Sequence, residues 1–439
     1  MLIDQVTIQD LGIIGPQSLY NKVNICKTQE GSDYLYQIML KPTDQLEQLL
    51  DRQAAIQFLM NQPIDECFKM TNGTLVMIRK FFESNEYGSK LANDIALQIN
   101  SFVNKIVNKE HLNYTTFILE HIKDLLATSE ALIGVLEQQA CPKLLQSLLP
   151  DLSAYQNDNV LENIQNYNTE KDVQNLKTTH HIRRYCKNII QNVVACIVKI
   201  DAYYALAKST KLNQWTIPTL LPKLEQTLSY QNLRHPLLTK AIGYHINFNK
   251  QQNLLILTGA NMSGKSTFLR SLGLAQYMAQ IGIGIPAEKA TISVCSSIIS
   301  NMKVQDNIFE GESYFYAEVK RMKHTAQQIT QQDYNLVLMD EIFKGTNIYD
   351  AYDCSISIID SLQHQQNNFF VISTHLYEIK DRINKNLENV FYKYFETLPL
   401  PEYQFQFTYQ LKDGVCQDRI GYSVLKQEGV LDILNQAQS

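Results

Sequence analysis

Apolar side chains recur at helical spacing through most of the first half of the chain. One stretch follows Thr43-Asp44 and ends before Pro63, and a second extends from about residue 90 to residue 150. Apolar positions three or four residues apart form one face of a helix, so these stretches predict helices that pack together. The longest such pattern covers about residues 169–208. About 40 helical residues span about 60 Å, which predicts a long strut or two helices with a bend near His180-His181.

The pattern changes near Trp215. After two prolines, short apolar runs alternate with helical segments, and the predicted strands are 227–233, 254–258, 291–302, 335–341 and 369–374. Such alternation is typical of an α/β domain with a largely parallel sheet. The sequence therefore predicts a multidomain α and α/β protein. Residues 1–222 form the helical domain in this prediction, and residues 223–439 form the α/β domain.

Composition narrows the classes of protein that fit. The 439 residues are 45% hydrophobic and carry a net charge of −5, which is ordinary for a globular protein and offers no general attraction for nucleic acid. Eight scattered cysteines form no C-x-x-C pair, so spacing predicts neither a zinc site nor a disulfide framework. The first residues do not resemble a signal peptide, and no apolar run is expected to cross a membrane. We therefore expect a soluble cytoplasmic protein.

A glycine-rich segment follows the predicted strand 254–258 and fits the phosphate-binding pattern G-x-x-x-x-G-K-[ST]. Backbone N–H groups in such a loop point at phosphate oxygens, and the helix that follows adds a partial positive charge. We expect Lys265 to reach the β- and γ-phosphates of a nucleotide and Ser266 to bind Mg²⁺. The expected nucleotide-binding residues are Gly259, Ala260, Asn261, Met262, Ser263, Gly264, Lys265, Ser266 and Thr267.

Two further predicted strands end in chemically active side chains. Asp340 and Glu341 close the strand 335–341, and His375 follows the strand 369–374. Because the carboxyl ends of parallel strands meet at the edge that holds a phosphate loop, these groups should lie beside Lys265. Asp340 is expected to hold Mg²⁺ through its water shell, and Glu341 to orient or deprotonate the attacking water. His375 is expected to sense the γ-phosphate.

These segments resemble the MutS family of DNA mismatch repair ATPases. Six elements follow the family order, and the last of them has Arg-Ile where the family usually has Ser-Tyr. A weaker resemblance to the family's helical core and lever extends upstream, over residues 24–53 and 195–218. The six elements are Arg234–Pro236, Thr258–Thr267, Asp306 with Gly311–Glu318, Asp340–Thr346, Ser373–His375 and Asp418–Tyr422.

The resemblance implies a function and a set of partners. It implies ATP or ADP with Mg²⁺ as cofactors, hydrolysis that involves Lys265, Glu341 and His375, and coupling of hydrolysis to conformational change on DNA. It also implies a homodimer in which Ser313 of one subunit reaches the nucleotide of the other. Tyr409 lies where the family often places an aromatic side chain against adenine. Mismatched, branched or nonspecific duplex DNA and repair proteins are the partners implied.

The chain also departs from the family pattern. The core-like region begins near residue 10, so we expect neither the wedge domain that recognises mismatches nor the connector domain. Phe81 and Glu83 match the wedge motif Phe-x-Glu, but they lie in the predicted helical region, and we interpret the match as coincidence. The stretch 110–180, where a DNA clamp would lie, is short. One dense basic cluster, formed by His180, His181, Arg183, Arg184 and Lys187, is either a DNA contact or a solvated helix face.

Two other classes of protein share parts of this pattern. Transporter and chromosome-condensing ATPases also combine a phosphate loop with a switch histidine, but they carry an S-G-G-Q-like signature before the Asp-Glu strand. This sequence contains no such signature. The second alternative is a module that uses ATP to control dimerisation with a protein partner, without recognising mismatches itself. The acidic balance and the missing wedge leave that alternative open.

Overall fold

The structure is a computed structural model that describes residues 1–84, 109–166, 172–302, 314–375, 388–400 and 405–416, with Lys426, Gly429, Val430 and Ile433. The chain forms two compact units. Residues 23–40 and 51–211 form the helical unit, and residues 1–22, 41–50 and 212–439 form the sheet unit. The sheet unit thus includes N-terminal segments that the predicted division at residues 222/223 assigns to the helical domain.

The helices of the described chain range from single turns to rods of more than 20 residues. In chain order they are α1 (Gln5–Leu11), α2 (Leu19–Val23), α3 (Gln29–Leu40), α4 (Leu46–Leu59), α5 (Ile64–Cys67), α6 (Asn72–Glu83), α7 (Lys109–Leu136), α8 (Lys143–Gln146), α9 (Leu149–Ser153), α10 (Asn159–Glu162), α11 (Asp172–Tyr185), α12 (Lys187–Leu212), α13 (Lys265–Gln280), α14 (Tyr314–Gln331) and α15 (Ile348–Leu362). Short 3₁₀ turns cover Ala154–Asn157, Asn163–Asn166 and Lys223–Glu225.

The strands of the described chain form two sheets. They are β1 (Leu2–Ile3), β2 (Thr219–Leu221), β3 (Leu228–Leu233), β4 (Tyr244–Phe248), β5 (Leu254–Thr258), β6 (Lys289–Ser293), β7 (Ser297–Asn301), β8 (Asn335–Asp340), β9 (Phe369–Ser373), β10 (Val390–Pro399) and β11 (Phe405–Asp413). The order of the larger sheet is β1-β7-β8-β9-β5-β10-β11, and that of the smaller sheet is β2-β6-β3-β4.

The helical unit is built around α7, which packs against α5, α6, α9 and α11. Its inward side chains, among them Ile118, Ile122 and Leu125, are fully buried at the predicted three- and four-residue spacing. The predicted helix after Thr43 is confirmed as α4. The prediction for residues 90–150 is confirmed from residue 109 onward, and its earlier part lies outside the described residues.

The long apolar pattern forms two helices, because α11 ends at Tyr185 and α12 begins at Lys187. The two-helix alternative is therefore correct, with the bend at Cys186. Helical hydrogen bonds continue across it, from Cys186 N to Ile182 O at 3.0 Å and from Ile190 N to Cys186 O at 3.0 Å. The bend is thus a kink in one helical path rather than a loop between two helices.

Helix α12 is the one described helix with the length and apolar composition of a membrane span, which contradicts the expectation that no run reaches that length. Burial accounts for its composition, since 61% of the apolar window is buried inside the protein. Asp201 interrupts the apolar run and accepts hydrogen bonds from Lys27 N at 2.9 Å and from Thr28 N at 2.9 Å. Burial raises the pKa of Asp201. A buried core helix has this combination of features.

The fold class is confirmed in the sheet unit. Every pair in the larger sheet is parallel except β10 with β11, and β5, β8 and β9 occupy its centre. Four predicted strands are confirmed, β5, β8 and β9 in this sheet and β3 in the smaller one. The predicted single strand 291–302 is wrong, because β6 and β7 belong to different sheets. A β-prone run with a short turn inside it has no internal signal that separates two strands from one.

The core of the sheet unit lies between the larger sheet and its flanking helices. Strands β5, β8 and β9 are buried on both faces, which explains their continuous apolar sequences. The buried cluster on one face consists of Leu254, Ile256, Ile299, Ile329, Val337, Met339, Ile359, Leu362, Phe370 and Ile372. Because both faces are covered, polar groups can gather only at the two ends of the strands.

Candidate nucleotide site

The phosphate loop joins the end of β5 to the start of α13. Gly259 and Gly264 have φ angles of +148° and +113°, which favour glycine over any other residue. A side chain at Gly259 would also meet Ser263 Oγ at 2.8 Å and Phe395 Cβ at 3.2 Å. Met262 carries a φ of +67° between them. The two glycines therefore let the loop curl back over the first turn of α13.

Lys265 is buried inside this loop. Its Nζ donates to Gly259 O at 2.9 Å and Ala260 O at 3.1 Å, and it lies 3.7 Å from Glu341 Oε1. Burial lowers the pKa of Lys265, while the charges of Glu341 and Asp340 oppose that shift. The amine is thus held at the centre of the loop by two carbonyls and one carboxylate.

Asp340 accepts one hydrogen bond on each carboxylate oxygen. Ser266 Oγ donates to Oδ2 at 2.5 Å, and Ser373 Oγ donates to Oδ1 at 2.7 Å. The sheet register creates the second contact, because Asp340 and Ser373 are paired residues on β8 and β9. A serine hydroxyl beside a carboxylate is an oxygen donor set suited to Mg²⁺. The structure therefore brings together the two residues predicted to hold the metal.

Glu341 is the most constrained side chain of the site. Its φ is +53°, and its backbone N–H donates to Ser373 O at 2.9 Å. His375 Nε2 bonds one carboxylate oxygen, and Lys344 Nζ lies 2.7 Å from the other. Burial alone would raise the pKa of Glu341, but the bonds from His375 and Lys344 outweigh it and lower the pKa to about 2. The carboxylate is therefore ionised at neutral pH, between three cationic or ionisable partners.

Lys344 is a site residue that the sequence analysis did not single out. Burial alone would lower its pKa, but the hydrogen bond and charge of Glu341 raise it. The loop that carries Lys344 is shaped by Glu318, whose carboxylate accepts from Lys344 N at 3.1 Å and Gly345 N at 3.0 Å. Phe343 adopts a φ of +61° in the same loop. The sequence did contain a signal for both residues. Lys344 lies within the Asp340–Thr346 element, and Glu318 lies within the Gly311–Glu318 element.

A cavity of about 530 Å³ opens beside the loop. Tyr409 lies on its wall, 3.5 Å from where a side chain on Gly264 would begin, and is 41% exposed. Burial and the nearby Arg270 charge lower the pKa of His235 to about 4, so this lining residue is neutral. The lining residues are His235, Leu238, Lys240, Ala241, Ile242, Tyr244, Asn261, Met262, Gly264, Lys265, Ser266, Thr267, Glu341 and Tyr409. The cavity joins an aromatic wall to the phosphate loop.

Some predicted elements cannot be located in the structure. Ser313 lies outside the described residues, as do Asp306 and the closing element Asp418–Tyr422. The expected role of Ser313 in a neighbouring subunit therefore stays a prediction. Asn261, Met262, Gly264, Lys265, Ser266 and Thr267 all line the one cavity, together with Glu341.

The Phe-x-Glu match and the basic cluster both lie in the helical unit. Phe81 is only 2% exposed, which confirms that the helical core buries it. The Arg183 guanidinium lies 4.5 Å from the centre of the Phe81 ring and donates to Ser84 Oγ at 2.9 Å. His181 Nε2 bonds Asp158 Oδ2 at 2.9 Å. Two members of the basic cluster are thus engaged within the unit, which favours the structural interpretation of those two residues.

Comparison with known proteins identifies the sheet unit. Residues 255–439 match the family model described as MutS domain V. The DNA mismatch repair protein MutS of Oceanobacillus iheyensis is 30% identical over 247 residues, which are 54% of this chain and 27% of that protein. Those of Streptococcus mutans and Geobacillus kaustophilus are each 28% identical, over 56% and 55% of this chain and 29% and 27% of theirs.

The chain thus spans less than a third of the length of these relatives. The family match covers β5, which leads into the phosphate loop, and the strands that carry Asp340, Ser373 and Tyr409. It therefore rests on the same segments whose motifs and geometry have been described. Residues 255–439 thus match MutS domain V, and the chain is similar to MutS proteins over about half of its length.

Proposed function

We propose that this chain binds and hydrolyses ATP with Mg²⁺ and couples hydrolysis to a conformational change on DNA. The observation that carries the ATPase proposal is the meeting of three groups at one sheet edge. Ser266 bonds Asp340, Asp340 bonds Ser373, and Glu341 lies beside Lys265. This arrangement offers oxygen ligands, a cation for phosphate and a carboxylate for water at one edge of the sheet.

Each residue has a role that its surroundings support. Ser266 and Asp340 would hold Mg²⁺, which when bound neutralises phosphate charge during transfer. Lys265 would exchange its bonds to Gly259 O and Ala260 O for bonds to phosphate oxygens. His375 lies at the end of β9, where it can contact both the γ-phosphate and Glu341. These roles need no movement of the strands themselves.

Glu341 is proposed to orient the attacking water rather than to remove its proton outright. A general base works best when its pKa is close to the working pH. The bonds from His375 and Lys344 hold the pKa of Glu341 at about 2, far below that range. Glu341 can still accept a hydrogen bond from water and fix its direction of attack. The proton then leaves with the phosphate product.

Replacement of Glu341 tests the ATPase proposal most directly. Glu341→Gln should bind ATP normally and lower steady-state turnover by about 10²- to 10⁴-fold, because the water loses its orienting charge. Asp353→Asn, an exposed carboxylate change on α15, serves as the matched control and should hydrolyse ATP at the normal rate. Phosphate release in excess Mg²⁺ gives the rate, and a fluorescent ATP analogue gives the affinity. Near-normal turnover by Glu341→Gln would contradict the assignment.

DNA is the macromolecular partner that we propose, since the relatives are named as DNA mismatch repair proteins. Phe81 is buried, so it cannot enter a duplex as a wedge. We therefore expect mismatched and matched duplexes to bind within a factor of about three, or roughly 0.7 kcal/mol. Affinity should fall steeply with salt because phosphate contacts dominate. Anisotropy titrations with matched, mismatched and four-way DNA at one salt concentration measure this, and a tenfold mismatch preference would contradict it.

A protein-directed module is the second candidate. The net charge of −5 and the engagement of His181 and Arg183 inside the helical unit favour it. DNA that leaves the ATPase rate unchanged at low salt would support this candidate over the first.

In both cases we propose a homodimer with Ser313 acting in trans, and a cytoplasmic location stays a prediction. Mixing Lys265→Ala with Ser313→Ala subunits should restore activity at one composite site, and a mixed dimer without activity would refute it.

A further inference from the structure

Three potential metal ligands meet at the bend between α11 and α12. Within the described ranges, Asp158, His181 and Cys186 form the group of acidic, histidine and cysteine side chains whose donor atoms all lie within 4.8 Å of one another. His181 Nε2 lies 2.9 Å from Asp158 Oδ2. All three residues belong to the helical unit. The cluster is therefore separate from the proposed nucleotide site.

Each ligand is held in place by a second contact or by its position in the chain. Asp158 uses its other oxygen, Oδ1, to cap α10 through Val160 N at 3.0 Å and Leu161 N at 3.1 Å. His181 lies on the last turns of α11, and its ring packs 5.2 Å from that of Tyr185. Cys186 is fully buried in the kink itself. The second carboxylate oxygen, the imidazole and the thiol thus converge from three positions with little freedom to separate.

The chemistry of this donor set selects a class of metal ion. Zn²⁺ takes thiolate, imidazole and carboxylate ligands, usually four in a tetrahedral arrangement. Mg²⁺ and Ca²⁺ prefer oxygen ligands alone. We propose that Asp158, His181 and Cys186 form a site for Zn²⁺ or a similar transition-metal ion, with water as the fourth ligand. Such an ion would tie the kink at Cys186 to the start of α10 and so fix the angle between α11 and α12.

Binding is a proton exchange without oxidation or reduction. Burial, with the charge and hydrogen bond of Asp158, raises the pKa of the Cys186 thiol to about 12, so the group is protonated without a metal. The Cys186 Sγ–H bond breaks as a sulfur–metal bond forms, and the proton passes to solvent. Asp158 Oδ2 accepts the hydrogen bond from His181 Nε2–H, and this proton moves to Nδ1 through solvent when Nε2 binds the ion. The ion therefore replaces the thiol proton and one internal hydrogen bond, and His181 changes its tautomer.

Cobalt titration of the full chain tests this site. The purified protein is treated with a chelator, desalted and titrated with Co²⁺ in the absence of nucleotide. Ser266 and Asp340 offer only oxygen ligands, so Co²⁺ bound there gives no sulfur signal. We expect one equivalent of Co²⁺ to give tetrahedral d–d absorption and a thiolate-to-cobalt charge-transfer band, and one equivalent of Zn²⁺ to abolish both. Absence of the charge-transfer band in the folded wild-type protein would overturn the proposal.

Variants assign the signal to these three residues. Cys186→Ser should remove the charge-transfer band, and Asp158→Asn should weaken Co²⁺ affinity at least tenfold while keeping the α10 cap, because asparagine also caps helices well. Cys196→Ser and His180→Gln, neighbouring changes outside the cluster, should retain full binding. If Cys186→Ser unfolds, which circular dichroism would show, Asp158→Asn decides the question. A band that survives in folded Cys186→Ser, or normal affinity in Asp158→Asn, would refute the assignment.

Discussion

The two ends of the larger sheet use opposite chemistry on the same strands. At the carboxyl ends, Glu341 lies 3.7 Å from Lys265 and bonds His375, and Asp340 precedes it in the chain. Three non-glycine residues there, Met262, Glu341 and Phe343, have positive φ angles, whereas Tyr334 is the one described at the amino ends of the central strands. Such conformations cost about 1–3 kcal/mol each and persist where the surrounding structure enforces them. This end therefore gives up stability for a defined arrangement of charges.

The amino ends of the strands are neutral and bonded to one another. An asparagine stands immediately before β5, β9 and β10, and another begins β8. Asn253 Nδ2 donates to Asn368 O at 2.8 Å, and Asn389 Nδ2 donates to Asn253 Oδ1 at 2.9 Å. Asn368 Oδ1 accepts from both Asn335 N and Asn335 Nδ2 at 2.9 Å. Amide side chains thus replace water at strand starts that are buried.

The difference indicates which residues can change activity without changing stability. Buried neutral amides cost free energy when their partners are removed, because the remaining donors lose a bond that water cannot replace. Charged groups in a cavity can exchange internal partners for a ligand. We therefore expect substitutions at the carboxyl ends to act on the nucleotide and substitutions at the amino ends to act on the fold.

The largest effect expected from this comparison is on nucleotide affinity. Lys265→Ala should weaken ATP binding at least about 100-fold, since a charge-assisted bond to phosphate is worth about 1.5–3 kcal/mol and Lys265 can make more than one. Lys250→Ala, an exposed lysine change near the amino end of β5, is the matched control and should bind normally. Fluorescent ATP titration measures both. Equal ATP affinities in the two variants would contradict the proposed functional difference between the carboxyl and amino ends of the strands.

A smaller effect, on stability, is expected at the amino end. Asn368→Ala leaves Asn335 N without its acceptor and should lower the free energy of unfolding by about 2 kcal/mol, while the ATP affinity of the folded protein stays unchanged. Gln366→Ala is the exposed control, expected within about 0.5 kcal/mol of wild type. Trp215, the single tryptophan, is buried in the sheet unit, so its fluorescence follows unfolding of that unit. A large loss of ATP affinity in folded Asn368→Ala would contradict this separation.

The smallest effect expected concerns the aromatic wall of the cavity. Tyr409→Ala should weaken ATP binding about tenfold, because stacking between a base and an aromatic ring contributes about 1–3 kcal/mol. Tyr409→Phe keeps the ring and should bind like the wild type. Comparing ATP with inorganic triphosphate sharpens the result, because Tyr409→Ala should leave triphosphate affinity unchanged. An equal loss for both ligands would instead assign Tyr409 to the shape of the phosphate loop.

The sequence predicted the phosphate loop and its neighbours because their chemistry depends on local residue order. Lys265 and Ser266 follow β5 after the short phosphate loop, and Asp340 ends β8. Parallel packing of these strands alone brings the three residues together. Lys344 escaped prediction because its role comes from a loop bent by Glu318, which is distant along the chain. The three ligands at the α11–α12 bend escaped for a similar reason. Their spacing matches no short motif, and only the packing of α10 brings Asp158 to Cys186.

Part of the strand pairing could not be predicted from the sequence either. Strand β1 has two residues, too few for any periodic pattern. Residues 291–302 read as one strand but contain parts of β6 and β7, which belong to different sheets. Strands β10 and β11 also escaped prediction, because they are only partly buried and their apolar residues follow no simple alternation. The predicted fold was thus most accurate where strands are fully buried and least accurate at the edges.

Strand β1 also determines when the sheet can be completed during synthesis. Leu2 and Ile3 pair with Ser297 and Ile298 of β7, and Asp10 accepts from Ser300 Oγ and Met302 N. Strand β1 therefore has no partner strand until almost 300 further residues have been synthesised. Until β7 is made, α1 has no sheet to pack on. Until β1 then pairs with it, β7 has an open apolar edge of the kind that promotes aggregation. The folding yield of this protein should thus depend on a strand pairing between segments almost 300 residues apart along the chain.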